Sequence, residues 1–451
     1  MDIQQLRNIL KDSGIVGAGG AGFPTYAKLD ERVDTIILNC AECEPLLYLH
    51  RQLLEMHSLE IMKAFEQMAV AMGAKSKIIA IKKTYKDTLE AVQSYQNQFD
   101  HLEVCELEEV YPAGDEVVLI YEATGKVIPP GALPIESGIA VFNVETVYNS
   151  YCAITKGEPV TDKLITITGE VEHPLTIRVP IGMEVSEAIA LAGKTTTEEP
   201  CYLMGGPMMG QLVSKRSVIT KTSNSILILP KDHIVVRKKE KNNSIDLKRA
   251  AAACCQCSMC TDLCPRYLLG HPIEPSSFML AATCKNVQKT EVFINTLFCS
   301  SCGLCEMYSC MQGLSPRTLI TEYKSGLRRA GVPTSKIAEF RPVAKEIKYR
   351  RVPMERLISR LGLNAYQKKA PLIEQMAHAS RVKIMMSQHI GVPALPLVKT
   401  GDYVQRGQLI GAPEQGLCVG MHASISGKVL EANEKYIIIV HEQQKGRVSY
   451  E

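Results

Sequence analysis

Two runs of cysteine in the second half of the chain have the residue type and spacing to bind metal clusters. The first run holds three cysteines at three-residue intervals and a fourth four positions later, before a proline: Cys254, Cys257, Cys260 and Cys264. The second run repeats the triplet but places its fourth cysteine one position further on: Cys299, Cys302, Cys305 and Cys310. A triplet at this interval can wrap three corners of a [4Fe–4S] cubane, and the fourth cysteine is free to ligate the other cluster. The spacing therefore predicts two [4Fe–4S] clusters.

By this two-cluster rule, each cluster takes three ligands from one run and one from the other. The predicted ligand sets are Cys254, Cys257, Cys260 and Cys310 for one cluster and Cys299, Cys302, Cys305 and Cys264 for the other. Zinc and purely structural cysteines are the alternatives, and zinc fits poorly because its sites usually pair CxxC knuckles. The extra spacer residue makes Cys310 the weakest ligand, and its cluster is expected to be more labile or differently tuned.

The composition of the whole chain is that of a soluble globular protein. Its 451 residues are 46% hydrophobic and 22% charged, which predicts roughly two to four domains. A net charge of +3 without a basic stripe excludes nucleic acid as an expected partner. Sixteen cysteines behind an N-terminus without signal-peptide character favour metal ligation and a cytoplasmic location. No apolar run is long enough to predict a transmembrane helix.

A glycine-rich stretch near the N-terminus is the second feature with chemical potential. Gly17, Gly19, Gly20 and Gly22 follow a predicted helix at 3–12. Close-set glycines let backbone N–H groups approach a ligand. The pattern is neither a P-loop nor a dinucleotide fingerprint. A tight structural turn is the alternative to a ligand loop. Iron–sulfur clusters carry one electron at a time, whereas hydride donors deliver two. Flavin is the common converter, so a flavin loop is the sharper prediction.

Polar residues also follow two of the predicted strands. They are Asn39, Glu42 and Glu44 after the first strand and Tyr111, Gly114 and Glu116 after a later one. Ligands of an α/β sheet bind outside the carboxyl ends of its strands, so these residues are expected to line a ligand site. Their carboxylates can bond flavin or ribose hydroxyls; a solvated loop with capping carboxylates is the alternative.

The elements that must position these residues change in character along the chain. Helices alternate with strands in the first third, which predicts a largely parallel sheet covered by helices, with one helix over 53–72. The cysteine-rich part has little apolar material, so its clusters are expected to supply much of its stability. The predicted units are an α/β domain (1–158), a small α+β domain (159–236), a charged linker (237–249), the cysteine-rich domain (250–330), a helical and basic connector (331–380) and a small β-sandwich or barrel (381–451).

Several segments, taken in order, resemble a known family. GAGGAGFPTYAK, LNCAECEP, YPAGDE and FNVET resemble the FMN- and NADH-binding domain shared by the flavin subunit of complex I and by RnfC. GGPMMG at 205–210 resembles the β-grasp (SLBB) domain that follows in RnfC-like proteins. HIGVPALPLVKTGDYVQRGQLIG with HASISGKV resembles the RnfC barrel-sandwich domain, which here lies at the C-terminus instead of the N-terminus. This order resembles the PduS-type cobalamin reductases, RnfC-like iron–sulfur flavoproteins of propanediol-utilisation microcompartments.

The resemblance implies a set of flavin-site residues. They are Gly19, Gly20, Lys28, Asn39, Glu42, Glu44, Tyr111, Gly114, Glu116, Asn143 and Thr146. Lys28 would neutralise the FMN phosphate or the reduced flavin, and Phe23 matches an aromatic that stacks on the adenine of NADH. The second aromatic of that pair is missing near Asp30, and an arginine of the complex I protein is replaced by Ala18.

The resemblance also implies an activity and partners. NADH would reduce FMN, and electrons would pass through the two clusters to cobalamin, in support of a B12-dependent diol dehydratase. The expected partners are cobalamin or a corrinoid adenosyltransferase, a microcompartment shell or redox protein, and a second copy of the chain. The expected location is the cytoplasm, inside a bacterial microcompartment. The alternative is an RnfC-like electron-transfer subunit that docks on a membrane redox complex and passes electrons between NADH and ferredoxin.

Overall fold

The N-terminal unit is built on a parallel sheet, as the alternation of helices and strands predicts. The computed structural model describes residues 1–240, 243–286 and 288–441. The strands of this unit are β1 (Thr35–Cys40), β2 (Ser76–Lys82), β3 (Leu102–Leu107), β4 (Val110–Tyr111) and β5 (Ile139–Asn143). Four of them form one parallel sheet in the order β3-β2-β1-β5, while β4 lies outside it. Ile36 and Ile37 face opposite sides of β1 and are both fully buried, so helices must cover both faces of the sheet.

Six helices cover this sheet. They are α1 (Ile3–Asp12), α2 (Leu49–Met56), α3 (Ser58–Met72), α4 (Lys86–Gln96), α5 (Glu116–Thr124) and α6 (Val144–Tyr151). The helical stretch predicted over 53–72 is present, but it begins earlier, at Leu49, and is divided into α2 and α3 by a break at His57, whose φ and ψ are −123° and 36°. The Ser58 hydroxyl donates to the Leu54 carbonyl at this break, and such local bonds compete with the helix ladder.

The second unit is a small α+β domain, as predicted. Its elements are β6 (Asp162–Gly169), β7 (Leu175–Pro180), α7 (Val185–Ala190), β8 (Pro200–Met204), β9 (Gln211–Val213) and β10 (Ser225–Pro230). They form a mixed sheet in the order β7-β6-β10-β8-β9. Its apolar residues share one core with the C-terminal domain, in which Ile165 and Val179 pack in the same cluster as Ile384 and Ile439.

The segment predicted as a solvated linker, 237–249, is instead helical over its described residues. Two helices cover this part, α8 (Ile234–Lys239) and α9 (Asn243–Ala253). Lys239 is buried and donates to the carbonyls of Met208 and Gly210 at 2.8 and 2.6 Å. The linker prediction fails because a lysine can bury its aliphatic stem when carbonyl oxygens receive its ammonium group, and composition does not reveal that environment.

The cysteine-rich unit consists of short helices around a small core. The helices are α10 (Met259–Asp262), α11 (Pro265–Leu268), α12 (Pro275–Thr283), α13 (Thr290–Ile294) and α14 (Pro316–Arg329). Phe278, Leu319 and Ile320 form its centre, and three of the predicted ligand cysteines pack against them. This core is much smaller than that of the parallel-sheet unit, in agreement with the scarcity of apolar residues in the sequence.

The connector and the C-terminal domain complete the chain. The connector has one helix and two short strands: β11 (Val352–Pro353), α15 (Met354–Arg360) and β12 (Leu372–Ile373). Strand β11 pairs with β4, and β12 extends the α+β sheet beside β7.

The C-terminal strands are β13 (Arg381–Met385), β14 (Leu395–Pro396), β15 (Tyr403–Val404), β16 (Leu409–Ala412), β17 (Met421–His422), β18 (Gly427–Ala432) and β19 (Tyr436–Val440). They form two sheets, β13-β19-β18-β15 and β14-β16-β17, as a β-sandwich prediction requires. Among the described residues, no helix is both long and apolar enough to cross a membrane.

Candidate cofactor sites

A polar cleft of about 420 Å³ opens at the carboxyl end of the parallel sheet. Eleven of the twelve predicted FMN and NADH residues line it: Gly19, Gly20, Phe23, Lys28, Asn39, Glu42, Glu44, Gly114, Glu116, Asn143 and Thr146. Strands β1 and β5 pair in parallel with Asn39 opposite Asn143, so the residues that end both strands reach the same edge. The twelfth residue, Tyr111, lies outside the cleft.

The glycine-rich loop forms one wall of the cleft. Gly20 and Gly22 have φ values of 66° and 69°, in the left-handed region that favours glycine. No described atom lies within 4 Å of the position that a Cβ would take on Gly20. The Ala18 amide donates to Thr146 Oγ1 at 2.9 Å and fastens the loop to α6. The loop therefore presents bare backbone to any ligand in the cleft.

The two carboxylates that follow β1, Glu42 and Glu44, bind neighbouring segments of the chain at the floor of the cleft. Glu42 accepts the His50 amide at 2.8 Å and lies 3.3 Å from Arg51 Nε. Glu44 accepts two amides of the GGPMMG loop (205–210), at 2.8 and 2.6 Å, and so ties the α+β unit to the cleft. Burial raises the pKa of both carboxyl groups, and their positively charged and amide partners oppose that shift. Both side chains therefore act chiefly by positioning the loops around the site.

Lys28 and Asn39 fix the opposite rim. Lys28 Nζ donates to Glu116 Oε1 at 2.9 Å and to the Val141 carbonyl at 3.0 Å. Asn39 Nδ2 donates to the Gly114 carbonyl at 3.1 Å. Lys28 thus places a cation in the cleft, next to a carboxylate that a phosphate could replace as its partner.

Apart from Glu42 Oε2, which lies 3.3 Å from Arg51 Nε, three buried polar atoms of cleft residues have no hydrogen-bond partner among the described residues: Thr25 Oγ1, His50 Nε2 and Asn224 Oδ1. Asn143 Nδ2 lies 3.4 Å from His50 Nδ1, which places the ring proton on Nε2. Burial lowers the pKa of His50 to about 3, so the ring is a neutral donor. An unpaired buried polar group costs about 1–3 kcal/mol, so these atoms suit a ligand with a polar edge. A flavin, with ring carbonyls and a phosphate, fits this set.

Sequence reasoning missed these three residues. Thr25 follows the glycine loop. His50 lies in the first turn of α2, and its position shortly after β1 was a weak sequence signal for a residue of the site. Asn224 belongs to the α+β unit and reaches Gly19 from outside the parallel-sheet unit. No local pattern could assign Asn224 to a site that another domain forms.

The structure brings each predicted set of four cysteines together. One set lines a single pocket: Cys254, Cys257, Cys260 and Cys310. In the other set, charges on Cys299 and Cys302 add to burial in raising the pKa of the Cys264 and Cys305 thiols. Cys255 is exposed and lines the same pocket beside the first set.

The thiols of the described residues do not form a site for a single metal ion. Within the described ranges, no three His, Cys, Asp or Glu side chains lie close enough to bind one metal ion. A cubane needs wider spacing, because each cysteine binds a different iron atom.

The two triplets share one backbone conformation. Gln256 and Ser301, two residues after the first cysteine of each triplet, have φ values of 57° and 60°. Ser258 and Gly303, two residues later, have φ values of 60° and 83°. Left-handed residues between right-handed ones turn successive N–H groups to the same side, a concavity that binds anions. An iron–sulfur cluster with thiolate ligands is such an anion, so the loops fit the predicted cofactor.

The extra residue before Cys310 is absorbed by a change of helix type. Between Cys260 and Cys264 the chain follows the α-helical turn α10, whereas a π-helical turn covers Cys305–Ser309. A π turn holds one more residue than an α turn. Cys264 and Cys310 consequently reach nearly the same backbone conformation, with φ and ψ of −72° and 116° and of −76° and 108°. The irregular spacing therefore leaves Cys310 in position to complete its set.

Tyr111 lies between the cleft and the second cysteine run. Its hydroxyl donates to the Cys302 carbonyl, and the charges of Glu44, Cys302 and Cys43 add to burial in raising its pKa. Cys43 lines the cleft and accepts the Gly114 amide at 2.6 Å. We therefore call the set Cys264, Cys299, Cys302 and Cys305 the inner site. The set Cys254, Cys257, Cys260 and Cys310 is the outer site, and the charge of its Cys260 adds to burial and nearer charges in raising the pKa of Cys305.

Cationic side chains surround the inner site. Arg266 pairs with Asp115 at 2.9 Å, Arg317 pairs with Glu306 at 3.1 Å, and Lys324 donates to the Cys299 carbonyl. Desolvation lowers the pKa of Lys324, and the charge on Cys299 opposes that shift. Asp115 and Glu306 offset the first two of these charges, so Lys324 is the cation that would chiefly stabilise an anionic cluster with its thiolate ligands.

Four domain families match the chain in the order that the structure shows. They are the Nuo51 FMN-binding domain (10–151), the SLBB domain (164–212), a 4Fe-4S dicluster domain (253–315) and the RnfC barrel sandwich hybrid domain (362–447). The fold and the two kinds of site thus define an iron–sulfur flavoprotein that binds FMN and two [4Fe–4S] clusters.

Comparison with curated proteins gives the family. The chain is 37% identical over 441 residues to cobalamin reductase PduS of Citrobacter freundii, covering 97% of each chain. It is also 37% identical over 442 residues to cobalamin reductase PduS of Salmonella typhimurium, covering 98% of this chain and 97% of the relative. The chain belongs to the PduS family of cobalamin reductases.

More distant similarities extend to part of the chain or to the fold alone. One component of the Na+-translocating ferredoxin:NAD+ oxidoreductase complex of Acetobacterium woodii is 32% identical over 275 residues, or 59% of each chain. A crystal structure of the NAD+-reducing [NiFe]-hydrogenase in its H2-reduced state covers 75% of this chain and 64% of its own, at 17% identity and a TM-score of 0.51.

Proposed function

We propose that the chain is an NADH-dependent cobalamin reductase, in which electrons pass from NADH through FMN and the two clusters to the cobalt of a corrinoid. The observation that carries the proposal is the position of Tyr111, which donates a hydrogen bond to the Cys302 carbonyl of the inner site and whose pKa responds to the charges of the cleft residues Glu44 and Cys43. The family supplies the acceptor, since its curated members are named cobalamin reductases.

Bound FMN would accept the two electrons of a hydride and release them singly, as clusters require. The residues of this chain bind and orient it. Gly20 offers bare backbone, and Thr25, His50 and Asn224 offer polar atoms that lack protein partners among the described residues. Lys28 supplies a positive charge at the rim. Because His50 is neutral and buried, it donates a hydrogen bond without adding a charge.

NADH is the expected donor, and part of its predicted site is in place. Phe23 lines the cleft beside the glycine loop. Asp30, near the position of the missing second aromatic, is bound by Arg32 at 2.8 Å and does not line the cleft. Of the predicted pair, Phe23 is therefore the aromatic available to the adenine, and Phe142, which also lines the cleft, is almost fully buried.

Anaerobic reconstitution followed by NADH titration tests the proposal. We expect about one FMN and roughly eight iron atoms per chain, bleaching of the flavin by NADH, and NADH-dependent formation of cob(II)alamin from cob(III)alamin. Absence of bound FMN, or a flavin that NADH cannot reduce, would overturn the NADH-to-FMN part. A reducible flavin and reducible clusters without cobalamin reduction would overturn the choice of acceptor.

Two further parts of the proposal concern the location of the enzyme in the cell and the RnfC-like alternative. We place the enzyme inside a bacterial microcompartment, near a corrinoid adenosyltransferase, on the strength of the family alone. Retention of the tagged chain in purified microcompartments tests this placement. The RnfC-like alternative has less support, because similarity to the Acetobacterium woodii protein spans 59% of the chain, against 97% for the cobalamin reductase of Citrobacter freundii.

A further inference from the structure

A groove of about 590 Å³ lies directly against the outer site and has no role in the FMN cleft. Its floor contains Met259, Ser309 and Met311, which are sequence neighbours of the outer ligands Cys260 and Cys310. Met259 and Met311 line the outer cysteine pocket as well, so one layer of side chains separates the groove from the predicted cluster.

The opposite wall of the groove is the exposed face of α15. Its buried residues Met354, Leu357 and Ile358 anchor the helix in a core that also contains Leu304 and Met307 of the second cysteine run, so the wall is rigidly placed beside the outer site. The exposed residues Glu355, Arg356, Ser359 and Arg360 face the groove. The groove therefore combines a fixed polar wall with an adaptable, apolar methionine floor.

The arginines of this wall are available to an anion. Arg356 has no ion pair with any described residue, and Arg360 Nη2 contacts Met311 Sδ at 3.8 Å. Burial and, to a smaller extent, the charge of Arg360 lower the pKa of Lys238, a third cation, while the charges of Glu306 and Cys310 oppose that shift. Glu355 is the one acidic side chain that lines the groove among the described residues. The groove therefore contains more cations than anions, and it lies beside the predicted outer cluster.

We propose that this groove binds the corrinoid substrate, with the macrocycle against Met259 and Met311 and the phosphodiester of the nucleotide loop on Arg356 and Arg360. This inference rests on the proposed function and adds the place of the acceptor. A corrin ring has broad apolar faces and an amide rim, which suit methionines and polar helix residues. Its nucleotide loop carries a phosphodiester anion, for which paired arginines are the preferred protein partners. A groove of about 590 Å³ is smaller than a whole cobalamin, so it would hold one face of the corrin ring and the phosphodiester while the rest of the ligand stays in solvent.

The electrons balance without a further reagent. NADH yields NAD+, a proton and two electrons, and each aquacob(III)alamin takes one electron to become cob(II)alamin and loses its axial water. Two cobalamins are therefore reduced for each NADH. Binding over the outer site shortens the distance of the last electron transfer, because only one layer of side chains separates the corrinoid from the predicted outer cluster.

The double variant Arg356→Gln, Arg360→Gln tests the inference in the full, anaerobically reconstituted chain. Calorimetry with aquacobalamin should show binding weakened by about 10- to 100-fold, as expected for loss of a charge-assisted bidentate contact. Cobinamide lacks the nucleotide loop and its phosphate, so its affinity should hardly change. The KM for cobalamin should rise while kcat stays close to that of the wild type.

Matched variants separate this effect from general damage. The Lys-for-Arg variant Arg356→Lys, Arg360→Lys keeps the charge and should retain most of the binding. Arg329→Gln removes an exposed arginine at the end of α14 and should bind cobalamin like the wild type. Iron content, FMN content and NADH-dependent ferricyanide reduction should be the same in all variants, because these residues lie outside the predicted ligand and flavin sites.

Each contrary outcome has one meaning. Unchanged cobalamin affinity in the Gln double variant, or an equal loss for cobalamin and cobinamide, overturns the assignment of the groove. Weakened reduction of an acidic redox protein such as flavodoxin, with cobalamin binding intact, would make the groove a protein-docking surface and also overturn it. If the wild type reduces no cobalamin at all, the proposed function fails; if it reduces cobalamin and the variants do so equally well, only this inference fails.

Discussion

The two cysteine runs adopt the same loop but lie in different surroundings. Both triplets have left-handed residues two and four positions after their first cysteine. In the first run Cys257 is exposed, whereas no cysteine of the second run is. Cys302 touches Tyr111, and three cationic residues surround the inner site. The comparison teaches that the repeated spacing sets how a cluster is held, while the neighbouring domains give the two sites different surroundings.

The largest expected effect comes from removing the inner cluster. Cys302→Ala should abolish NADH-driven reduction of the outer cluster and of cobalamin, while NADH still bleaches the flavin, because the inner site lies between the two. Electron paramagnetic resonance of NADH-reduced and dithionite-reduced samples measures this. The matched variant Cys257→Ala should leave the inner cluster reducible by NADH. Rapid reduction of the outer cluster in Cys302→Ala would reverse the order.

The crossed ligands are tested by the fourth cysteine of each run. Cys310→Ala should lower iron from roughly eight to about four atoms per chain and remove the spectrum of the exposed outer cluster. The inner cluster should remain, because Cys264 completes it. Cys264→Ala should give the converse result in iron analysis and paramagnetic resonance. Loss of the inner cluster in Cys310→Ala would show that each run binds its own cluster.

A smaller effect is expected from the cations that distinguish the sites. Lys324→Met should lower the midpoint potential of the inner cluster by roughly 50 mV, since a partly buried charge is worth about 1 kcal/mol and reduction makes the cluster more anionic. Redox titration followed by paramagnetic resonance measures the shift. Lys324→Arg should leave the potential near the wild-type value, and the outer potential should stay constant in both variants. An equal shift of both potentials would contradict the separation of the two surroundings.

The smallest effect concerns a group remote from both runs. Lys221 is buried and donates to the Gly14 and Gly420 carbonyls at 2.7 and 2.9 Å, and burial lowers its pKa to about 7 from 10.5. The unfolded chain then binds more protons than the folded chain between these pH values, so the free energy of unfolding should rise as pH increases above about 7.

Urea unfolding at several pH values measures this rise. The variant Lys221→Met should lose the rise above pH 7 that Lys221 gives the wild type. His422 lies nearby but does not add to the rise, because burial and the Lys221 charge lower its pKa to about 3. Both cluster spectra should be unchanged in the variant. Identical pH profiles for the two proteins would show that Lys221 is charged in the folded state.

Part of the fold and much of the cleft could be predicted from the sequence. The order of the four domain types, the parallel sheet and eleven of the twelve predicted FMN and NADH residues in the cleft all followed from local patterns and resemblance. The break at His57 in the helical stretch 53–72 and the helices within 237–249 were not predicted, because a hydroxyl bond from Ser58 and the burial of Lys239 depend on the folded environment. Asn224 could not be found at all, since it enters the cleft from the α+β unit.

By itself, the sequence determined the chemistry of the cysteine runs, because triplet spacing constrains loop geometry within a few residues of chain. Only the tertiary structure decided their roles. It placed Tyr111 against Cys302 instead of in the cleft, and it set α15 beside Met311. It also absorbed the extra residue before Cys310 in a π turn. These outcomes depend on contacts between segments far apart in sequence, and local spacing carries no information about such contacts.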